Sequence, residues 1–257
     1  MRRDPRSFCS DRLPVEHFDE RFSEDNLAFW VPLLVELGRV APGSRVLDVG
    51  CGTGGFARGI AEAAGADVTG IDSSARFVAF AEGQPAPVRG SVRWLIGDAE
   101  VLPAEDGSFD RVLLSFVLHQ LARPEVAVAE AFRVLVGGGL VLVRTVAPED
   151  AGKRVPERYL PSMAAADAAR LPPVSTIERW LLEAGFARPS MRVVPRNKPL
   201  NLADEERQLA VEARSRYPFI SAAELEEGVR RMRAEAEREH GGWIDPRPTT
   251  FLWAGKP

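Results

Sequence analysis

The chain has 257 residues, 45% of them hydrophobic and 27% charged, and a formal net charge of −4; that length suits one large α/β domain or a domain with a sizeable insertion. An acidic balance argues against nucleic acid as the main partner, because neutralising phosphates takes a net basic face. No apolar run reaches the roughly 18 residues of a membrane span and no signal peptide opens the chain, so a cytoplasmic protein without a membrane partner is expected.

The basic opening, MRRDPR, reads as a solvated tail. Residues 1–43 are expected to form an N-terminal helical segment, with helical periodicity over 14–37. Its aromatics Phe18, Phe22, Phe29 and Trp30 suit either core packing or a pocket wall. From Ser44 onward, β-rich runs alternate with helical patterns. Strands are expected at 45–49, 67–71, 92–96, 110–116 and 140–146, and helices at 54–64, 75–82 and 124–135. The third of these helices has proline in its first turn and is expected to stop at Gly137-Gly138-Gly139. Strands joined by such helices imply right-handed βαβ crossovers and a parallel sheet covered on both faces. Apolar runs such as VLLSFVL and LVLVRTV are what strands buried on both faces contain.

Residues 147–173 read as irregular, rich in proline and alanine. Ser175-Thr-Ile-Glu178 fits a capping box for a helix with the stripe Ile177, Trp180, Leu181 and Ala184, stopped by Gly185. A strand is expected at 187–194 and a last one at 249–254. Between them lie two polar helices, 204–216 and a longer one opening with the capping box Ser221-Ala-Ala-Glu224. The domain would thus span 44–257, with insertions at about 147–173 and 199–246 forming a substrate lid.

The stretch Leu47 to Gly55, LDVGCGTGG, fits two cofactor loops at once. As Gly50-x-Gly52-x-x-Gly55 it matches a dinucleotide loop; as Asp48-x-Gly50-x-Gly52-x-Gly54 it looks like the first motif of class I S-adenosyl-L-methionine (SAM) methyltransferases. Glycines at a strand-to-helix turn let a ligand approach the backbone and aim helix N–H groups at it, which serves both cofactors. Asp48 separates them: a carboxylate would repel a pyrophosphate but favours the cationic amino and sulfonium groups of SAM. Asp72, ending the second strand, suits ribose hydroxyls in either case.

Downstream, Gly97-Asp98-Ala99-Glu100, Leu102-Pro103-x-x-Asp106-Gly-Ser-Phe109-Asp110 and Ser115-Phe-Val-Leu-His119 follow in order. The series strongly resembles the type 11 group of class I methyltransferases, which includes quinone-biosynthesis and natural-product enzymes. The resemblance is close from Val46 to Val146 and weaker in the ARLPP…ERWLLEAGF segment. It implies a Rossmann-like, doubly wound α/β fold with a mostly parallel seven-stranded sheet and helical insertions near the C-terminus. It also implies SAM as cofactor, S-adenosyl-L-homocysteine as product, and a small-molecule acceptor. Asp48, Gly50, Gly52 and Gly54 would line the methionine part of SAM. Asp72 would bind the ribose with Ser73 beside it, Asp98 and Ala99 would meet the adenine, and Ser115 and Phe116 would lie beside the methyl donor.

Each position also has a plainer use: Asp72 as an N-cap, Asp98 as a turn former. Cys51 is expected as a small buried filler in the loop. The two cysteines, Cys9 and Cys51, make no disulfide framework, and His17, His119 and His240 have no ligand spacing, so no metal is expected. Methyl transfer needs orientation above all and a base only sometimes. His119 is the candidate catalytic base, with His17 a weaker one. Arg144 could face an anionic or carbonyl-bearing substrate, or pair with a surface acid. Tyr159, Met163, Tyr217, Phe219 and Trp243 are pocket-lining types that equally suit a core.

The expected activity is O- or C-methylation of a small, partly apolar acceptor by in-line displacement, in a monomer or homodimer. The alternatives are a SAM-binding protein of the same fold doing other chemistry, such as cyclisation, and a nicotinamide-dependent oxidoreductase, which Asp48 disfavours.

Overall fold

In a computed structural model, the described residues are 15, 19, 22–215, 217, 219–238 and 243–257. Cys9, His17, Phe18 and His240 lie outside them, as does most of the expected helix before residue 22.

The chain divides into two units. Among the described residues, the smaller holds 146–173 and 193–250, and the larger holds most of the rest. A boundary at residue 43 does not coincide with this division.

The larger unit is built on a seven-stranded, mostly parallel sheet in the order β3-β2-β1-β4-β5-β9-β6, the expected doubly wound α/β fold. Its strands are β1 (Arg45–Val49), β2 (Asp67–Asp72), β3 (Ser91–Ile96), β4 (Phe109–Ser115), β5 (Leu135–Thr145), β6 (Ser190–Val194) and β9 (Thr249–Gly255). β1 pairs in parallel with β2 and β4, β2 with β3, and β4 with β5. Helices cover both faces. α4 (Pro124–Val134) and α7 (Val174–Glu183) bury Ala127, Val128, Ala131, Ile177 and Leu181 against Val112, Leu114, Val141 and Val143. On the other face α1 (Glu24–Leu37) and α2 (Gly55–Ala64) bring Leu34 and Ile60 to Leu113 and Leu142. Alternate residues of one strand therefore face different helices, so the central runs of β4 and β5, Val112–Leu114 and Leu140–Val143, are wholly apolar.

Three local expectations give way. α4 ends at Val134 and the chain enters β5 at once, so the glycine run lies inside the strand. The amine of Lys256 donates to the carbonyls of Phe132 (2.8 Å) and Leu135 (2.7 Å), satisfying the helix end that glycines were expected to stop. α7 begins at Val174, so Ser175 sits in its first turn and does not cap it. Residues 147–173 are not irregular: α5 (Val155–Tyr159) and α6 (Pro161–Arg170) occupy them. Their prolines stand in the first turn, where a missing N–H costs nothing, so they start helices in a segment expected to be irregular.

The smaller unit adds α8 (Leu202–Ser215), α9 (Ala222–Ala236) and a two-stranded antiparallel ribbon of β7 (Asn197–Leu200) and β8 (Trp243–Pro246). Its core is Val155, Tyr159, Leu160, Met163, Leu209, Tyr217, Met232 and Trp243, with Tyr159 stacked on Trp243. Four of the five expected pocket residues are thus core, while Phe219 is exposed. The Ser221 hydroxyl does cap α9, accepting from Glu224 N. The Glu224 carboxylate turns to Ser162 instead, accepting from its N–H (2.9 Å) and hydroxyl (2.7 Å).

Candidate functional site

In a doubly wound sheet the crevice opens where strand order reverses, beyond the carboxyl ends of the strands. Here that point lies between β1 and β4. The sequence motifs converge on it. Asp48 is the penultimate residue of β1, Asp72 ends β2, Ser115 ends β4 and Arg144 is next to last in β5, paired in register with Ser115. Gly97 N donates to Asp72 O, placing Asp98 and Ala99 just past the next strand end.

The loop after β1 is held from several sides. Gly50, Gly52 and Gly54 all have positive φ, which other residues adopt at a cost. Gly50 N and Cys51 N donate to Ile71 O, and Gly52 N donates to the Asp72 carboxylate at 2.9 Å. A Cβ on Gly54 would stand 2.2 Å from the ring of Trp94, and one on Gly55 would stand 2.2 Å from Phe22. Gly55 opens α2 with no positive φ; it is glycine because Phe22 packs against it. The third glycine of the dinucleotide pattern thus has a packing reason of its own. Cys51 is buried, as expected of a filler, and burial first, then Asp48, raises its thiol pKa.

Asp48 is 3% exposed, and burial, with the charge of Asp72 second, pushes its pKa up to about 7. Asp72 accepts from Gly52 N and Ser74 N, both at 2.9 Å. Burial raises its pKa and those two bonds pull it part of the way back. The N-cap of α3 (Ala75–Glu82) is Ser74, so Asp72 braces the loop and does not cap the helix; Ser73 between them is exposed. Asp98 does form a turn, accepting from Glu100 N at 2.9 Å, with Ala99 buried beside it.

Ion pairing sorts the acids of the motifs. Glu100 pairs with Arg123, Asp106 and Glu130 with Arg133, and Asp110 with Arg45. The Arg45 hydrogen bond holds the Asp110 carboxyl below its usual range. Among the described residues no arginine or lysine pairs with Asp48, Asp72 or Asp98. The paired acids fasten strands and turns together; the other three remain as ligand-facing candidates.

The tip of β4 forms the opposite wall. Phe116 has φ 55, a strained value for a bulky residue. Its N–H donates to Arg144 O (2.9 Å) and its carbonyl accepts from the Gln120 amide (2.7 Å). Val117 comes within 2.7 Å of where a Gly50 Cβ would be, so this tip packs directly on the glycine loop. His119 follows in a short 3₁₀ turn, Leu118–Gln120, half-buried. Arg144 is 4% exposed. Its guanidinium lies over Trp30 (4.0 Å), Phe116 (4.6 Å) and Phe56 (4.9 Å).

The cofactor-binding candidates named from sequence therefore lie at or just past the carboxyl ends of neighbouring strands, while Tyr159, Met163, Tyr217 and Trp243 belong to the core of the smaller unit. What sequence reasoning missed is the packing: Trp94 and Phe22 behind the loop, and Trp30 and Phe56 around Arg144. Trp94 had one readable signal, since a large aromatic in β3 pairs in register with Gly70 in β2. Among the described residues no cluster of metal-ligating side chains occurs, and no helix is long and apolar enough to cross a membrane.

Residues 47–143 match the model of a family described as a methyltransferase domain. A demethylmenaquinone methyltransferase of Renibacterium salmoninarum is 38% identical over 114 residues, covering 44% of this chain and 46% of that protein. The chain thus spans about half the length of the curated relatives it matches. A solved structure of a candidate methyltransferase from an antibiotic-biosynthesis pathway of Anabaena variabilis covers 88% of this chain and 96% of its own. It matches at 22% identity and a TM-score of 0.67. The [4+2]-cyclase SpnF covers 89% and 80% at 24% identity and a TM-score of 0.57. At these identities the two structures share the fold.

Proposed function

We propose that the protein transfers a methyl group from SAM to a small, partly apolar acceptor, at oxygen or carbon, by in-line displacement, a reading supported by the match of residues 47–143 to a family described as a methyltransferase domain. The observation that carries this is Asp48: a buried acid with no arginine or lysine paired to it among the described residues, beside a loop of left-handed glycines. A pyrophosphate there would meet like charge, whereas a cationic group relieves the cost of burying the carboxylate.

The bound cofactor supplies an activated methyl group; the chain's residues hold and orient. The loop Gly50–Gly54, with Asp48, takes the methionine part. Asp72 accepts from the ribose hydroxyls through the lone pairs its two backbone bonds leave over, with Ser73 flanking. Asp98 and Ala99 meet the adenine. Ser115 and Phe116 face the reacting centre, and the strained Phe116 gives that wall one fixed shape. His119, on the turn that follows, takes a proton from the acceptor where one must leave. The smaller unit, which a minimal sheet of this kind does not need, is assigned to acceptor selection. The protein is assigned to the cytoplasm.

Thermal stabilisation by S-adenosylhomocysteine and not by NAD(P), followed by transfer of labelled methyl to a panel of phenolic, polyketide and quinol acceptors, tests the reading. Stabilisation by NAD(P) alone would overturn the cofactor. Tight S-adenosylhomocysteine binding without transfer to any acceptor would favour other chemistry on the same fold.

A further inference from the structure

The segment after β3 that carries Asp98 folds back on itself. The Asp98 carbonyl accepts from Val101 N (3.1 Å) and its carboxylate Oδ1 from Glu100 N (2.9 Å), so the chain reverses at once. Pro103 then returns to the start of the segment: a Cβ on Gly97 would stand 2.8 Å from its ring. Glycine leaves room for that ring beside the backbone directly before Asp98.

Two side chains of α4 seat Pro103. Arg133 donates through Nη1 to Ala104 O (2.8 Å) and Asp106 Oδ1 (2.7 Å), and through Nη2 to Leu102 O (3.1 Å). Glu130, bonded to the same guanidinium at 2.7 Å through each of its oxygens, accepts from Leu102 N (2.8 Å). Both neighbours of Pro103 thus hang on one planar, rigid fork. At the near end of the segment Arg123, the N-cap residue of α4, donates through N and Nε to the two oxygens of Glu100, each at 2.8 Å. The helix itself is fixed, with Ala127, Val128, Ala131 and Val134 buried in the core over the sheet.

Resting on the SAM assignment above, we infer that Arg133, acting with Glu130 through Pro103, is the positioning residue for the purine: it holds Asp98 where the carboxylate accepts from an exocyclic amino group, and so makes the site select a 6-amino over a 6-oxo purine. Oδ1 of Asp98 is used by Glu100 N, which leaves Oδ2 to the ligand. An ionised carboxylate only accepts, so an amino group donates to it while an oxo group meets it lone pair to lone pair. Discrimination of this kind is steep only where geometry is held, because hydrogen bonds weaken sharply when misaligned.

The test is calorimetry on the full chain with S-adenosylhomocysteine and S-inosylhomocysteine, its 6-oxo counterpart. Wild-type protein should bind the amino form more tightly by about tenfold or more. Arg133→Met should cut that ratio below about threefold, through weaker binding of the amino form alone, and Arg133→Lys, which keeps a donor for the loop carbonyls, should recover part of it. Gly97→Ala, which pushes Pro103 off its seat and leaves α4 untouched, should lower the ratio in the same way. A role confined to folding would weaken both ligands alike, so an unchanged ratio in either variant would overturn the inference. Equal affinity of the wild type for the two ligands would overturn it without any variant. Binding of neither ligand by the wild type would overturn the cofactor reading itself, and this inference with it.

Discussion

Replacing Asp48 by Asn should make the ligand-free protein more stable and the cofactor complex weaker. The wild-type carboxyl has an ordinary pKa of 3.8 and is pushed up to about 7 in the fold, first by burial and then by Asp72. A raised acid opposes folding once it is ionised in the unfolded chain. The penalty begins near pH 4, grows as pH rises, and is complete above about 7. At 1.36 kcal/mol per pKa unit, a shift of about three units amounts to about 4 kcal/mol. The Asn amide carries a pH-independent cost of its own, about 1–3 kcal/mol if poorly hydrogen-bonded. The difference between variant and wild type should therefore move by up to about 4 kcal/mol, in favour of Asn, between pH 4 and pH 8. Urea unfolding of both proteins without ligand, at half-unit pH steps, reads this directly. At pH 8, calorimetry should show S-adenosylhomocysteine binding to the variant at least tenfold more weakly. Wild-type affinity should itself fall, by at most tenfold per unit, as pH drops below about 7 and Asp48 takes up a proton. Stability curves that stay parallel from pH 4 to pH 8 would mean that Asp48 carries no strained charge. Unchanged ligand affinity would remove it from the site.

Asp72→Ala should lose the ribose contacts and the brace on Gly52, weakening S-adenosylhomocysteine binding at least tenfold by calorimetry, whereas Asp110→Ala, which only breaks the pair with Arg45, should leave that affinity within about twofold. Two glycines of one loop should answer alanine differently. Gly52 has open space at its Cβ position, so Gly52→Ala should cost only its left-handed backbone, about 1 kcal/mol; Gly54→Ala adds a clash with Trp94 and should cost about 2–4 kcal/mol in the same urea assay. In the smaller unit, Tyr217→Phe removes the buried bond to Asp167 (2.8 Å) and should lower local stability there by about 1–3 kcal/mol, read as faster amide exchange in α6.

Strands and helices of the sheet were legible because burial on two faces leaves one composition. β1 and α3 fall where the residue pattern places them, although the cap of α3 is Ser74 and not Asp72. The failures came where a residue has two physical uses. Proline both breaks and begins helices, and only tertiary packing of Tyr159 and Met163 decides that 147–173 begins two. Glycine both stops a helix and enters a strand, and Lys256, which closes α4, is more than a hundred residues away in sequence. The ribbon of β7 and β8 joins two four-residue strands, each containing a proline, too short for periodicity to mark. The site shows the same division. Asp48 could be separated from the other acids by its place in a motif, but its meaning comes from subtraction. Asp106, Asp110, Glu100 and Glu130 all find arginines, and only three-dimensional pairing reveals which acids remain for a ligand. The sequence left Arg144 open between substrate and surface acid; the structure buries it among three aromatic rings, a setting that only tertiary packing reveals. The glycine loop, which first drew attention to the site, lets a ligand come close, and the acids beside it that no described arginine or lysine pairs with decide which charge that ligand carries.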